Sequence, residues 1–263
     1  NAFASIYEGR YLAGIAAGMK VQEMLDTKKI TEDKAKMGYV GAFPYAEVIS
    51  GYTSFFLGAR SVCPSVTMEV QYTNSWYDEA MEKEAANSLI NSGCVLISQH
   101  ADSMGAPTAC ETAGVPNVSY NGSTISACPN TYIISSKISW KPYFKHIIEA
   151  VENGTAITED YCVGITEGAV ELSELNTAVA AAGTQEAIDA AKAKFTDGTL
   201  HVFDTSTFTV KGEKLESHKA DVDTDDSFTP DTEAVSDGYF HESEYRSAPY
   251  FDIVIDGITV PTA

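Results

Sequence analysis

The sequence predicts an α/β protein with a mainly parallel sheet that is covered by helices on both faces. Apolar, strand-like segments alternate with helical segments between residues 36 and 136. Each predicted strand ends on polar or aromatic residues. Strands that are joined by helices pair in parallel, so the alternation indicates successive β-α-β units. In open parallel sheets, ligands bind outside the carboxyl ends of the strands, and we therefore expect a binding cleft at that edge.

The individual elements are predicted from hydrophobic periodicity and from residues that start or stop helices. Tyr7, Tyr11, Ile15 and Met19 recur at helical spacing, which predicts a helix over 1–25. The same signals place the other elements. Strands are expected at 37–43, 66–73, 94–99, 117–121 and 131–136, and helices at 45–62, 77–92, 105–113, 140–152 and 184–196. Segments 161–172, 199–204, 207–210 and 251–260 read as extended, and the rest of 205–263 as irregular.

Charge and composition limit the possible partners. The chain has 37 acidic and 17 basic residues, which gives a formal net charge of −20. Binding to the phosphates of nucleic acid or of an anionic membrane needs a basic surface, so we expect neither partner. An apolar content of 44% is ample for a globular core, and no apolar run is long enough to predict a transmembrane helix.

Metal sites and cofactors are not expected. The five cysteines include no CxxC pair, and their mostly apolar surroundings indicate free buried thiols. The acidic run Asp221–Asp226 (DVDTDD) begins like a calcium loop. It lacks the glycine at the sixth position and the glutamate at the twelfth, so a solvated loop is the better interpretation.

The usual signatures of catalysis are also missing, since the sequence has no GxGxxG, P-loop, GxSxG or HExxH. His100 and Asp102 leave a predicted strand as i, i+2 neighbours. They could bond a ligand, close the strand end as a structural pair, or act as a base and its partner in a hydrolase. No nucleophile stands at a recognisable turn, so we expect a protein without enzymatic activity.

Aromatic residues at two strand ends are candidates for ligand contacts. Trp76 stands at a strand-to-helix junction, and Phe43 ends the preceding strand. An exposed indole among polar side chains suits a flat heterocycle, because the ring offers a stacking surface and the polar groups reach its edge. Ordinary core packing is the alternative for both rings.

Three polar residues near the same edge complete the candidate site. Asp78 follows Trp76, where it could face the ligand or cap the next helix. Asn121 could bond a ligand or make a turn. Lys137 follows the strand predicted at 131–136, where it meets the same rim or is ordinary surface.

Seven segments together resemble a known family. They are YEGRYLAGIAAG (7–18), GYVGAFP (38–44), FLGARSVCP (56–64), NSWYD (74–78), QHADS (99–103), Tyr120-Asn121 and 136–143. With them, residues 1 to about 204 resemble the basic membrane protein family, the PnrA-like substrate-binding proteins of ABC transporters. The last 59 residues match that pattern poorly.

The resemblance implies a type I periplasmic-binding-protein fold, with two Rossmann-like lobes and a ligand in the cleft between them. The family normally has further chain before the YEGRYLAG helix, so the first lobe is expected to be partial and the second complete. On this basis 1–35 is the C-terminal part of the first lobe and 36–136 the second lobe. Residues 137–160 form a helix returning to the first lobe, which should approach helix 1–20. Residues 161–263 supply the remaining second-lobe elements and an irregular C-terminal segment.

The resemblance also implies a function and roles for the site residues. Characterised members bind purine nucleosides, and the family is broader than that. The resemblance implies a solute-binding component of an importer, with a permease and an ATPase as partners. Trp76 replaces an aromatic residue that stacks on the base, and Lys137 stands at the position of a family lysine. Asn121 lies in the segment that supplies a carboxylate for the ribose. Because this segment reads VSYNGS rather than GVDSDQ, a free base or another heterocycle is also plausible.

The same resemblance implies an extracytoplasmic lipoprotein, which would touch the membrane only through a lipid anchor that lies outside this sequence. A ligand-sensing domain of a receptor or regulator on the same fold is the alternative.

Overall fold

A computed structural model describes residues 1–223, 227 and 229–260. The strands in this part of the chain are β1 (Ala2–Ala4), β2 (Lys36–Gly41), β3 (Thr67–Tyr72), β4 (Leu96–His100), β5 (Asn117–Tyr120), β6 (Tyr132–Ile138), β7 (Tyr161–Val163), β8 (Val170–Leu172), β9 (Lys219–Ala220), β10 (Thr232–Glu233), β11 (Val235–Ser236), β12 (Tyr239–Phe240) and β13 (Ile258–Thr259). The helices are α1 (Ile6–Asp26), α2 (Ala46–Val62), α3 (Glu79–Asn91), α4 (Gly105–Ala113), α5 (Lys141–Asn153) and α6 (Thr184–Thr196), with a short 3-10 turn at Glu32–Lys34.

Seven strands form the central sheet, in the order β13-β3-β2-β4-β5-β6-β8. Neighbouring strands are parallel except for β6 and β8, which confirms the mainly parallel sheet predicted from the sequence. After β2, the chain forms β3 on one side of β2 and then β4 on the other side of β2. The strand order therefore reverses between β2 and β4, and such a reversal opens a crevice at the carboxyl ends of the two strands.

Helices cover both faces of the sheet. On one face, α1 and α2 enclose the larger hydrophobic core together with apolar side chains of the sheet and of the C-terminal segment. On the other face, α3 and α4 pack on a smaller core that includes Val40, Leu89 and Ile97. These buried faces explain the apolar periodicity that predicted the elements.

The closest helix pair is α1 with α2, and two glycines permit it. A Cβ atom added at Gly14 would collide with the carbonyl oxygen of Phe55, and one added at Gly58 would collide with that of Tyr11. Only glycine leaves room for backbone to meet backbone at these two positions. Gly14 of α1 and Gly58 of α2 therefore allow the two helices to pack closely.

The surroundings of α1 differ from the sequence-based expectation. This helix packs mainly against α2, α6 and β6, and α5 is not among its main neighbours. The expected packing of helix 140–152 against helix 1–20 is wrong, because the glycine-lined face of α1 directs it onto α2. In this structure α1 thus packs on the central sheet together with α2. The division of 1–35, 36–136, 137–160 and 161–263 between two lobes stays a prediction.

The C-terminal segment is held by a buried carboxylate. Glu242 accepts hydrogen bonds from the backbone N–H groups of Tyr250 (2.9 Å) and Phe251 (2.6 Å). Burial raises the pKa of this carboxyl to about 7. The Phe251 ring in turn stacks on Phe203 with centroids 4.2 Å apart. This packing replaces the expected strands: 199–204 and 207–210 contain only isolated bridges, and β13 is the one strand formed within 251–260.

Further expectations concern thiols, metals and membrane spans. All five cysteines are free, and four of them are buried, as predicted. Within the described residues, no group of three or more His, Cys, Asp or Glu side chains could hold a metal ion. Half of the acidic run Asp221–Asp226, residues 224–226, lies outside the described residues, so the solvated loop expected there stays a prediction. No helix in the described part of the chain has the length and apolarity needed to cross a bilayer.

The contact between α1 and α2 gives a direct test of the packing. Gly14→Ala should lower the free energy of unfolding by about 3 kcal/mol, because the new methyl group meets backbone that cannot move aside. Gly122→Ala is the matched control, since a Cβ there would have no atom within 4 Å. Urea unfolding of both variants measures the difference, and equal losses would contradict the packing described.

Candidate functional site

The candidate site lies where the strand order reverses. Phe43 follows β2, Trp76 follows β3, Asp102 follows β4 and Asn121 follows β5. Parallel strands bring these four residues to one edge of the sheet, as the sequence predicted. The hydrogen bond from Asp102 N to the Trp76 carbonyl oxygen (3.1 Å) joins the loop after β4 to the loop after β3.

Three aromatic rings, Phe43, Tyr45 and Trp76, form what we call the aromatic wall. Phe43 stacks on Tyr45 with centroids 4.9 Å apart, and Trp76 lies 5.3 Å from Phe43 and 6.3 Å from Tyr45. Trp76 is 39% exposed and Tyr45 is 55% exposed. Such exposure shows that the indole is not buried as a lid over the core. The wall can therefore offer ring surface to a solute.

Polar groups stand beside the aromatic wall. Asn121 Nδ2 donates to Asp102 Oδ1 (3.1 Å), and Asn121 N donates to the Ser136 carbonyl oxygen (2.9 Å). Asn121 has a φ of 61°, a left-handed conformation that asparagine tolerates better than most residues. The turn predicted for Asn121 is thus present, and contact of its side chain with a ligand stays a prediction.

His100 lies beneath this edge. It is 1% exposed, and its ring centroid lies 4.1 Å from that of Tyr120. The carboxylate within 4 Å of His100 belongs to Glu47, whose Oε1 is 3.6 Å from Nε2. Burial lowers the pKa of His100, Glu47 opposes that shift, and Arg10 adds to it. We conclude that the imidazole is neutral at neutral pH.

His100 and Asp102 do not form a hydrogen-bonded pair, which was one of the alternatives that the sequence left open. Asp102 comes after the end of β4, where the alternation of side chains along a strand no longer applies, and its carboxylate bonds Asn121 instead. Neither ring nitrogen of His100 has a hydrogen-bond partner within the described residues.

A buried arginine supports the floor of the site. The guanidinium of Arg10 donates to Ser98 Oγ (2.6 Å), to the Ser119 carbonyl oxygen (3.2 Å) and to Ser136 Oγ (3.4 Å). It also lies over the Tyr120 ring, 5.6 Å from the centroid. These contacts tie α1 to β4, β5 and β6 directly below the edge.

Asp78 and Lys137 have partners of their own. Asp78 is the N-cap of α3: its Oδ1 accepts from Met81 N (2.9 Å), while its own N–H donates to Glu82 Oε1 (3.1 Å). Lys137 lies within β6 rather than after it, and it forms an ion pair with Glu171 at 3.0 Å. Ligand contact by either residue stays a prediction, but the structure gives each of them a structural role.

Sequence reasoning missed Tyr45, Glu47 and Arg10. The first two lie at the start of α2, directly after the loop that follows β2, so the order of the elements could have pointed to them. Arg10 could have been noticed as a cation in an apolar part of α1, but only the folded contacts show what it holds.

Comparison with a family model now decides the relationship. Residues 2–199 match the model for Bmp, described as ABC transporter substrate-binding protein PnrA-like. The chain belongs to this family. The resemblance seen in the sequence is thereby confirmed over about the range in which it was recognised.

Two curated relatives share the matched region. A protein of Haloferax volcanii, named as an ABC transporter glucose-binding protein, is 37% identical over 64% of this chain and 40% of its own length. A purine-binding protein of Brucella abortus is 34% identical over 65% of this chain and 45% of its own length. The chain thus matches less than half the length of each of these relatives.

Solved structures confirm the fold. An ABC transporter solute-binding protein from Aeropyrum pernix K1 superposes with a TM-score of 0.64 and 17% identity, covering 76% of this chain and 65% of that one. At this identity the likeness shows the fold alone. The type I periplasmic-binding-protein class predicted from the sequence agrees with it and with the mostly parallel sheet.

The role of Asp78 can be separated from ligand binding. Asp78→Ala should cost about 1 kcal/mol of stability, because it removes the cap of α3. If capping is the whole role of Asp78, solute affinity should not change. Glu84→Ala, at an exposed position of the same helix, is the control for a lost charge. Thermal unfolding and calorimetric titration measure the two effects, and an affinity loss at full stability would contradict the capping role.

Proposed function

We propose that this protein binds a small heterocyclic solute, a purine nucleoside or a purine base, and serves as the solute-binding component of an ABC importer. The observation that carries the proposal is the exposed aromatic wall beside Asp102, Asn121 and Glu47, at the point where the strand order reverses. Stacking would supply affinity, and the polar groups would recognise the edge of the ring.

Two considerations favour a heterocycle over other solutes. Trp76 and Tyr45 are large, exposed rings, and they are held by neighbouring rings rather than by the core, so they suit a flat partner. One relative in the same family is named as purine-binding, although another is named as glucose-binding. Calorimetric titration with purines and with glucose distinguishes the two solute classes.

The state of His100 supports binding without turnover. A general base must reach the proton that it removes, and this imidazole is buried beneath the edge. Asp102 is bonded to Asn121 and does not orient the ring. The hydrolase alternative therefore gains no support at this edge.

Membership of the family supports the remaining parts of the proposal. A permease and an ATPase are the partners that an importer requires, and the location would be extracytoplasmic, with a lipid anchor. A ligand-sensing domain of a receptor or regulator would use the same cleft. Transport of the solute into cells or vesicles that carry the permease would separate the two roles.

The stacking role of Trp76 gives the main test. Trp76→Ala should weaken purine binding tenfold to a hundredfold, because stacking on an indole contributes about 1–3 kcal/mol. Calorimetric titration with adenosine, guanosine, inosine, adenine and glucose measures the affinity and ranks the solutes.

Trp140→Ala provides a matched control for this test. Trp140 is 40% exposed, close to the 39% of Trp76, but it lies at the start of α5. Its replacement should leave affinity unchanged. Equal affinities of the Trp76 variant and the unaltered protein, or global unfolding of that variant, would show that the indole has a structural role instead.

A further inference from the structure

We propose that Glu47 is the carboxylate that accepts hydrogen bonds from the bound solute, and that buried His100 positions it. This inference rests on the proposed function, since it concerns the same cleft. The site residues predicted from the sequence and from the resemblance do not include Glu47, and VSYNGS replaces the acidic pattern that would supply a carboxylate for the ribose.

Glu47 lies beside the aromatic wall and reaches solvent. It stands in the first turn of α2, two residues after Tyr45, and its side chain is 33% exposed. The N-terminus of a helix favours a negative charge at this position. His100 Nε2 lies 3.6 Å from Glu47 Oε1, which is beyond a normal hydrogen bond. Both carboxylate oxygens therefore keep capacity for a solute.

Packing fixes the orientation of His100. A Cβ atom added at Gly51 would lie 2.6 Å from Nδ1, and the ring centroid is 4.1 Å from that of Tyr120. The ring is thus confined between α2 and Tyr120, with Nε2 directed at Glu47. Neutral imidazole has a single N–H group. We assign it to Nε2, whose N–H dipole faces the carboxylate across 3.6 Å without a hydrogen bond. This makes His100 a positioning residue rather than a solute contact.

The charges at the edge indicate which solutes would bind. Glu47 and Asp102 are acceptors, and the amide of Asn121 is committed in part to Asp102. The nearby cations have partners, since Lys137 pairs with Glu171 and Arg10 is fully buried. Such an edge favours a solute with amine or hydroxyl donors and repels phosphate. We therefore expect unphosphorylated nucleosides or bases to bind, and nucleotides to bind poorly.

Affinity measurements on Glu47 variants test the solute contact. Glu47→Gln keeps the shape and removes the charge, and it should weaken adenosine binding about tenfold to a hundredfold. AMP should bind to the unaltered protein at least about tenfold more weakly than adenosine. In the Glu47→Gln variant, this ratio of the two affinities should be smaller. Glu149→Gln on α5, an exposed glutamate beside Lys145, is the matched control and should change neither affinity. Glu47→Asp serves as a second variant that retains the charge at a shorter reach.

A double-mutant cycle tests the positioning role of His100. His100→Leu removes the Nε2 donor and should weaken adenosine binding, whereas His100→Gln retains a donor at that end and should restore much of it. In the Glu47→Gln background, His100→Leu should cause no further loss, because the carboxylate that it positions has lost its charge. A purely structural histidine would instead lower affinity equally in both backgrounds.

The outcomes separate this inference from the proposed function. If the unaltered protein binds no member of the purine panel, the proposed function itself fails. If it binds adenosine and Glu47→Gln binds equally well, the role of Glu47 is overturned while the proposed function stands. If AMP binds as tightly as adenosine, the exclusion of phosphate is wrong. If the His100→Leu loss is the same in both backgrounds, the positioning role is wrong.

Discussion

The buried guanidinium of Arg10 is the interaction on which the rest of the structure depends. It is fully buried, and a charge in that position is costly unless its donors are bonded. Its three hydrogen bonds go to Ser98, Ser119 and Ser136, which lie on three adjacent strands of the sheet. Among the described residues no carboxylate pairs with it, and its Nε has no hydrogen-bond partner. Hydroxyl and carbonyl dipoles at the two terminal nitrogens and the faces of aromatic rings therefore carry the compensation. Arg10 thereby fixes α1 on the sheet immediately below the candidate site.

This buried charge also shapes the chemistry of the edge above it. A cation beneath His100 disfavours a second positive charge, and burial acts in the same direction, so the imidazole stays neutral. Because the His100 imidazole is neutral, Glu47 and Asp102 are the charged groups that a solute would meet at this edge. Affinity can then come from the aromatic wall, while the carboxylates select for donors. The same arrangement supports the proposal that this edge binds a solute.

The sequence predicted the sheet well and the site only in part. The strands at 37–43, 66–73, 94–99, 117–121 and 131–136 and the helices between them were visible because each buries a periodic apolar face. The C-terminal segment was less predictable, since its packing depends on Glu242 and on stacked rings rather than on a repeating pattern. Trp76, Phe43, Asp102 and Asn121 come together because parallel strands end at one edge. The roles of Arg10 and Glu47 depend on long-range contacts with His100 and the sheet. Hydrophobic periodicity in the sequence does not reveal such contacts.

The central claim is that solute binds on the aromatic wall at the reversal of strand order. The chain has two tryptophans, Trp76 on that wall and Trp140 at the start of α5, so an ¹⁵N-labelled sample gives two indole N–H signals, which a Trp140→Phe sample assigns. Titration of the unaltered protein with adenosine should shift the Trp76 signal progressively and leave the Trp140 signal in place. A shift of Trp140 alone, or binding detected by calorimetry with both signals unmoved, would contradict this account.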